Sequence, residues 1–280
     1  MRTFEVFRIK KVILLSLAAV FMQMGCKASV SPILRHSGPS LMDELAPSDI
    51  ISRYDTSNLV GIIAPRSEHY SIITQTWPAS TRTTYDGTQN WGNATFIDST
   101  GSFCNVLMCL FNKAFHNIPS SQVPSGSYAY SGNDLPIYTD GSTPNIVMVQ
   151  GLDSSYGFAY DSLTFGAMPL ITNIVRGQNV SRDSNITVNW SGTSNDFVSL
   201  MIYCWDSTGT NDTIGKGFAV GGYYNNTGSA TLTVVPQQLV KGLADIELRK
   251  FEPKFITLSS GRRVCVCCET CEDITVHIVD

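Results

Sequence analysis

The chain has 280 residues, a formal net charge of −4 and only 15% charged residues. This slightly acidic balance lacks the clustered positive charge of nucleic-acid-binding proteins, so we expect no nucleic-acid partner. The length is enough for one large domain or two of ordinary size, and the scarcity of charge together with many Thr, Val, Ile and Tyr residues favours strands over surface helices.

The N-terminus has the pattern of an export signal. Basic residues precede an apolar run from Val12 to Met24, and a run of about 13 residues fits a signal peptide but is too short to span a bilayer. The run ends at Gly25-Cys26. A small residue directly before a cysteine at this place resembles the lipobox of bacterial lipoproteins. The resemblance implies that residues 1–25 are removed and that Cys26 is acylated and becomes the first residue. The alternatives are an ordinary secretory signal, in which Cys26 has no special role, and an uncleaved anchor.

The lipobox resemblance also implies a location. Acyl chains on Cys26 would anchor the protein in a membrane of the bacterial cell envelope, at the outer membrane or the periplasmic face. Residues 26–48 are rich in Ser and Pro, and residues of these types interrupt regular structure. We therefore predict a lipid-anchored flexible tether over this range.

Residues 49–168 are predicted to form a β-rich domain, because short apolar runs alternate with Gly, Pro, Asn and Asp. We expect turns at Asp86-Gly87 and at Asn90 to Gly92. The segment Phe103 to Phe115 fits either a strand or one helix, since periodicity does not separate them at this length. The other expected strands include Leu59–Ile63, His69–Trp77, Asn145–Val149 and Tyr156–Tyr160.

Residues 169–280 carry a sharper strand pattern. Ile186, Val188 and Trp190 alternate on one face, and a long apolar run follows from Phe197 to Trp205. Together with the later Leu-Thr-Val-Val-Pro turn, this order resembles the Ig-like or fibronectin-III-like modules of bacterial exported proteins, although the cysteine pair of antibody domains is absent. The resemblance implies a β-sandwich that acts as a binding module or as a spacer. The predicted fold class is all-β, with two β-sandwich-like domains after the signal peptide and tether.

The cysteines allow several interpretations. Cys104 and Cys109 would form a disulfide if the segment between them turns. A strand from Arg263 to Cys267, a turn over residues 268–272 and a returning strand would let Cys268 pair with Cys271. The alternatives are buried thiols, a redox-active pair, or a metal site that uses the four C-terminal cysteines, Cys265, Cys267, Cys268 and Cys271.

Aromatic and acidic residues supply the other candidates. Trp91, Tyr223 and Tyr224 lie in Gly- and Asn-rich stretches that we predict to be loops, where they would either stack on sugar rings or cap the core. An envelope glycan hydrolase would need a pair of carboxylates, and Asp134, Asp140 and Asp153 are candidates for that role.

The interpretation that we favour is a non-catalytic cell-envelope lipoprotein. Its β modules would bind or space an envelope component, a glycan or a protein, and the membrane would be contacted through the N-terminal acyl chains. The alternatives are the glycan hydrolase and a metal-binding module at the C-terminal cysteines. We expect no cofactor.

Overall fold

The computed structural model describes residues 55, 57–76, 81–96, 106–118, 128–151, 155–194, 196–204, 219–234 and 239–280. These residues form strands and no helix, which confirms the all-β prediction. It follows that no helix in the described ranges is long and apolar enough to cross a membrane. The predicted signal peptide, the lipidation site Cys26 and the tether all lie outside the described residues.

Fifteen strands lie within the described ranges, and several are much longer than the strands expected from the sequence. They are β1 Leu59–Thr76, β2 Thr81–Phe96, β3 Val106–Phe111, β4 Lys113–Ala114, β5 His116–Ile118, β6 Tyr128–Asn133, β7 Asn145–Gly151, β8 Phe158–Leu163, β9 Asn179–Ser181, β10 Ile186–Asn189, β11 Phe197–Cys204, β12 Ala219–Asn225, β13 Ser229–Leu232, β14 Gly242–Thr257 and β15 Arg263–Val279.

The strands form one large sheet and two small ones. The large sheet has nine strands in the order β12-β11-β14-β15-β1-β2-β6-β5, with β9 paired to β15 outside this path. Its centre is the long β14–β15 hairpin, against which β1 lies parallel. The small sheets are β4-β3-β7-β8 and the β10–β13 pair. Strands from the beginning and the end of the chain are therefore neighbours in one sheet.

The structure corrects several predicted turns. Leu59–Ile63 and His69–Trp77 belong largely to one strand, β1, and both Asp86-Gly87 and Asn90 to Gly92 lie inside β2. Pro65 is tolerated within β1 because the ladder to β15 has no partner there, between the pairs formed by Ile63 and Arg66. A proline has no N–H to donate at such a position. Pairing on both sides of these strands overrides the local turn preference.

The first hydrophobic core lies between one half of the large sheet and the four-stranded sheet. It joins Val264, Val266 and Cys268 of β15 to Val147 and Val149 of β7. From Asn145 to Gln150, β7 alternates between buried and partly exposed residues, as expected for a strand with one face on a core. The Phe103 to Phe115 segment contributes through β3, which confirms the strand alternative for its described part.

The second core lies on the same face of the large sheet, over its other half. Ile274, Val276 and Ile278 of β15 pack there with Val188 and Trp190. The indole Nε1–H of Trp190 donates a 2.6 Å hydrogen bond to the buried Oδ1 of Asn226. The β14–β15 hairpin thus contributes to both cores. The predicted boundary between two domains, at residues 168 and 169, stays a prediction.

A polar belt separates the two cores on this inner face. Thr270 and Glu272 interrupt the apolar series of β15, and the buried Lys250 does the same in β14. The segment that links the cores crosses this belt. Lys250 Nζ donates to the carbonyl oxygens of Gly166 at 2.9 Å and Ala167 at 2.8 Å. The buried charge is therefore compensated by backbone oxygen, as buried charges require.

Carboxylates hold the same linking segment by its N–H groups. Glu252 Oε2 accepts a 2.8 Å hydrogen bond from the N–H of Gly166, and Glu272 accepts one from the N–H of Ile171. Burial raises the pKa of Glu272, against the opposing effects of this N–H and of His69. The belt consequently fixes the linker to the large sheet.

Candidate functional site

The outer face of the four-stranded sheet, turned away from the first core, is apolar. One cross-strand row contains Met108, Gln150 and Phe158, and the next contains Leu110, Met148 and Tyr160. The residues between these rows, such as Cys109 and Val149, face the first core. We call the two rows, together with Leu107, the outer apolar face.

The outer apolar face is open to solvent. Isolated surface hydrophobics are common, but a contiguous group of large ones is typical of a contact site. A register irregularity between Val106 and Met108 places two consecutive residues of β3 on the outside, because a bulge breaks the alternation. The exposed side chains are Leu107 at 55%, Met108 at 39%, Phe158 at 45% and Tyr160 at 62%.

The edge of this sheet is partly closed by its own chain. The N–H of Phe158 donates to Ser259 Oγ at 3.0 Å, and the carbonyl oxygen of Phe158 accepts from the N–H of Ser259 at 2.8 Å. Further along β8, the N–H of Ser162 donates to Asp161 Oδ1 at 2.7 Å. By the alternation of an edge strand, Tyr160 turns its backbone N–H and C=O outward between these two points.

Sequence reasoning missed the outer apolar face, although a signal for it exists. Ile146, Val147, Met148 and Val149 are consecutive apolar residues, and a strand that is apolar in every position has no polar face to give to water. The strand predicted at Tyr156–Tyr160 is confirmed in part, since β8 begins at Phe158.

The cysteine prediction is corrected by the strand assignment. Residues 268–272 form no turn, because β15 runs without interruption from Arg263 to Val279. Cys268 belongs to the first core, whereas Cys271 lies three residues along and so faces the opposite side of the sheet. The expected Cys268–Cys271 disulfide is therefore absent, and both residues are free thiols.

The other predicted roles of the cysteines also lack support in the described ranges. No group of three or more His, Cys, Asp or Glu side chains among the described residues is arranged to hold a metal. Burial raises the pKa of Cys265 to about 12 and places the pKa of Cys267 and Cys271 well above the usual range, so these thiols are poor nucleophiles. Cys109 is a buried free thiol in the first core, and Cys104 lies outside the described residues.

A network of charged side chains occupies the middle of the large sheet, on the face opposite the cores. Arg66 Nη1 lies 2.9 Å from Glu269 Oε1, and 4.9 Å separates its guanidinium from the Trp91 ring centroid. Arg249 Nη2 donates to Glu247 Oε2 at 2.7 Å. Burial and the neighbouring charges of Asp245 and Glu247 raise the pKa of Asp273 well above its usual range. Asp273 therefore holds its proton above the pH at which an ordinary carboxyl group ionises.

The three aromatic residues predicted to contact a ligand lie in different environments. Trp91 lies within β2 and not in a turn, and its ring is covered by the Arg66 guanidinium. Tyr224 packs against the second core, and burial raises its pKa. Tyr223, on the opposite face of β12, is exposed.

Among the described residues, no two of the predicted hydrolase carboxylates are shown as a pair. Asp140 accepts hydrogen bonds from the backbone and side chains of Ser142 and Thr143 at 2.5–3.0 Å. These bonds, led by the one from the Thr143 hydroxyl, lower the pKa of Asp140, so it is unsuited to donate a proton near neutral pH. Asp134 is exposed with a φ of 52°, and Asp153 lies outside the described residues.

Comparison with known proteins gives no family. No family model and no curated protein match the chain. Among solved structures, the chain is similar to a yeast delta-COP-I mu-homology domain, with 5% identity, a TM-score of 0.28 and coverage of 79% of this chain and 98% of that one. It is also similar to the structure of DIP-gamma IG1+IG2, with 8% identity, a TM-score of 0.17 and coverage of 79% and 99%. Similarity this weak carries no argument about function.

Proposed function

We propose that the protein is an exported, lipid-anchored protein of the bacterial cell envelope that acts by surface contact and not by catalysis. The observation that carries the contact role is the outer apolar face, whose large side chains stay exposed although a complete core lies beneath them. When a partner covers exposed apolar groups of this size, their removal from water lowers the free energy of the complex. The partner would be a component of the envelope.

Anchoring is supported by the sequence before the described residues. The basic residues, the apolar run from Val12 to Met24 and the Gly25-Cys26 pair have the order found in bacterial lipoprotein signals. Two or three acyl chains on Cys26 would hold the protein at a membrane, because each buried CH₂ contributes about 0.8 kcal/mol. Such an anchor would keep the outer apolar face within a limited distance of the membrane.

The anchor is tested by labelling cells with palmitate. We expect label in the wild-type protein, none in Cys26→Ala, and full label in the matched control Cys204→Ala, whose thiol lies in the second core. The proposal is overturned if the wild-type protein carries no label, or if it is found in the cytosol with the mass of the unprocessed chain.

The contact role is tested separately by photo-crosslinking in intact cells. A benzophenone side chain is introduced at Tyr160 in the outer apolar face, or at the exposed Val175 as control. Benzophenone inserts into C–H bonds of proteins, lipids and glycans alike, so the test does not presuppose the partner. Adducts at position 160 that are absent at position 175 support the contact role, and equal yields at both positions contradict it.

A further inference from the structure

The outer apolar face lies close to the start of the described chain. The N–H of Arg263 donates to the carbonyl oxygen of Asn58 at 2.8 Å, and Arg263 Nη1 donates to that of Asp55 at 3.0 Å. Arg263 closes the β14–β15 turn, in which Leu258 donates to Arg262 and Ser259 bonds Phe158. The start of the described chain and the outer apolar face thus meet at one turn.

We propose that the outer apolar face rests on the lipid bilayer in which Cys26 is anchored. This inference rests on the proposed function and names its partner. Residues 27–54 reach at most about 100 Å when fully extended, so the folded part stays near the anchoring membrane. A weak contact becomes effective under that constraint, because the tether makes it intramolecular. One lipid signal with a second, weaker surface contact is a common basis of stable membrane association.

The chemistry of the face fits a lipid surface. Its two rows contain no charged residue, and Gln150 is their one strongly polar member. The middle strand β7 is paired on both sides, by β3 and β8, so its backbone groups are satisfied, as groups near hydrocarbon must be. Tyr160, the most exposed member, has an apolar ring and a polar hydroxyl group, and tyrosine is enriched at membrane–water interfaces.

The same face is less suited to a protein partner. Strand addition at β8 is limited, because Ser259 occupies both backbone groups of Phe158 and Asp161 occupies the N–H of Ser162. This leaves Tyr160 as the residue between them with outward backbone groups. A stable dimer buries about 800 Å² on each partner and uses about 20–30 residues, far more than the seven residues of this face.

The contact must be shallow. The outward N–H and C=O of Tyr160 need water or another partner, so β8 would lie at the level of the headgroups and not in the hydrocarbon. The side chains of Leu107, Met108 and Phe158 would then reach the upper part of the acyl chains. A probe at Tyr160 should consequently report lipid close to the headgroups.

The test uses the full-length acylated protein in vesicles of phosphatidylethanolamine and phosphatidylglycerol, with or without acyl chains brominated near the headgroup. Tyr160→Trp carries the reporter, and Val175→Trp is the matched control, at an exposed position next to Ile174 of the second core. The natural tryptophans are common to both variants, so their quenching cancels in the comparison. We expect bromine to quench the emission of the indole introduced at position 160 roughly twofold more than that of the indole introduced at position 175, as an interfacial contact requires.

The outcomes separate this inference from the proposed function. Acylated protein in which both reporters are quenched equally overturns the bilayer contact and leaves the anchor intact. Acylated protein whose position 160 crosslinks to a second copy or to an envelope protein, without bromine quenching, overturns it in favour of a protein partner. If the mass spectrum shows that the protein carries no acyl chains, the proposed anchor is wrong and the inference fails with it.

Discussion

Lys250 gives the most direct test of how the linker is held to the large sheet. Its side chain is 1% exposed, and its Nζ donates to the carbonyl oxygens of Gly166 and Ala167 at 2.9 and 2.8 Å. Lys250→Met keeps the length of the stem but removes both charge-assisted bonds. Each such bond contributes about 1.5–3 kcal/mol, and the substitution leaves two carbonyl oxygens without their donor. We expect the free energy of unfolding to fall by about 3–5 kcal/mol.

The matched control is Lys254→Met. Lys254 lies four residues along the same strand and, like Lys250, forms an ion pair with Glu252, but its side chain is 34% exposed. Exposed pairs contribute about 0–1 kcal/mol. Urea unfolding followed by tryptophan fluorescence should lower the midpoint of Lys250→Met by about 1–2 M and barely change that of Lys254→Met. Equal midpoints for the two variants would refute the reasoning that the buried ammonium fixes the linker.

Three further predictions follow from other buried groups. Asn226→Ala should lower the free energy of unfolding by about 2–4 kcal/mol in urea titrations, because its amide bonds Trp190, Gly192 and Ser194; the exposed Asn225→Ala is the control, and similar losses for both would contradict this role. Because the folded protein keeps the proton of Asp273 and the unfolded chain releases it, stability should fall as pH rises from the unfolded pKa, about 4, towards the raised folded value. Asp273→Asn should flatten that fall in unfolding curves taken at a series of pH values, and an unchanged slope would show that Asp273 is not its source. Iodoacetamide at neutral pH, read by peptide mass mapping, should label the four C-terminal cysteines only after denaturation, and rapid labelling of the native protein would contradict their burial and raised pKa.

The strand content was predictable from the sequence, but the strand lengths were not. Asp86-Gly87 and the Cys268 to Glu272 stretch carry local turn or break signals, yet they lie inside β2 and β15. Turn preference is a local effect of small magnitude, whereas each residue in the centre of the sheet is paired on two sides. The pairing of β15 with both β1 and β14 joins distant parts of the chain, which a comparison of neighbouring residues does not reveal.

The candidate site shows the same limit. Alternation along Asn145 to Gly151 indicates that a strand has two faces, but Met148 and Val149 are both apolar and only the packing decides which of them is covered. Val149 lies in the first core, and Met148 stands in the row with the exposed Tyr160. The sequence does not reveal that Arg66 covers the ring of Trp91 or that Tyr224 packs against the second core.

Residue composition and spacing by themselves determined that this chain would be built from strands. Its β-branched and aromatic residues pack well on pleated surfaces, and it has too few charged residues for the solvent-exposed sides of surface helices. The tertiary structure alone decided that two cores share one face of a nine-stranded sheet, that a polar belt with Lys250 lies between them, and that a small sheet leaves its apolar outer side open. The physical reason is that side-chain alternation has a period of two along any strand, while the neighbour on each face is set by contacts between residues far apart in the chain.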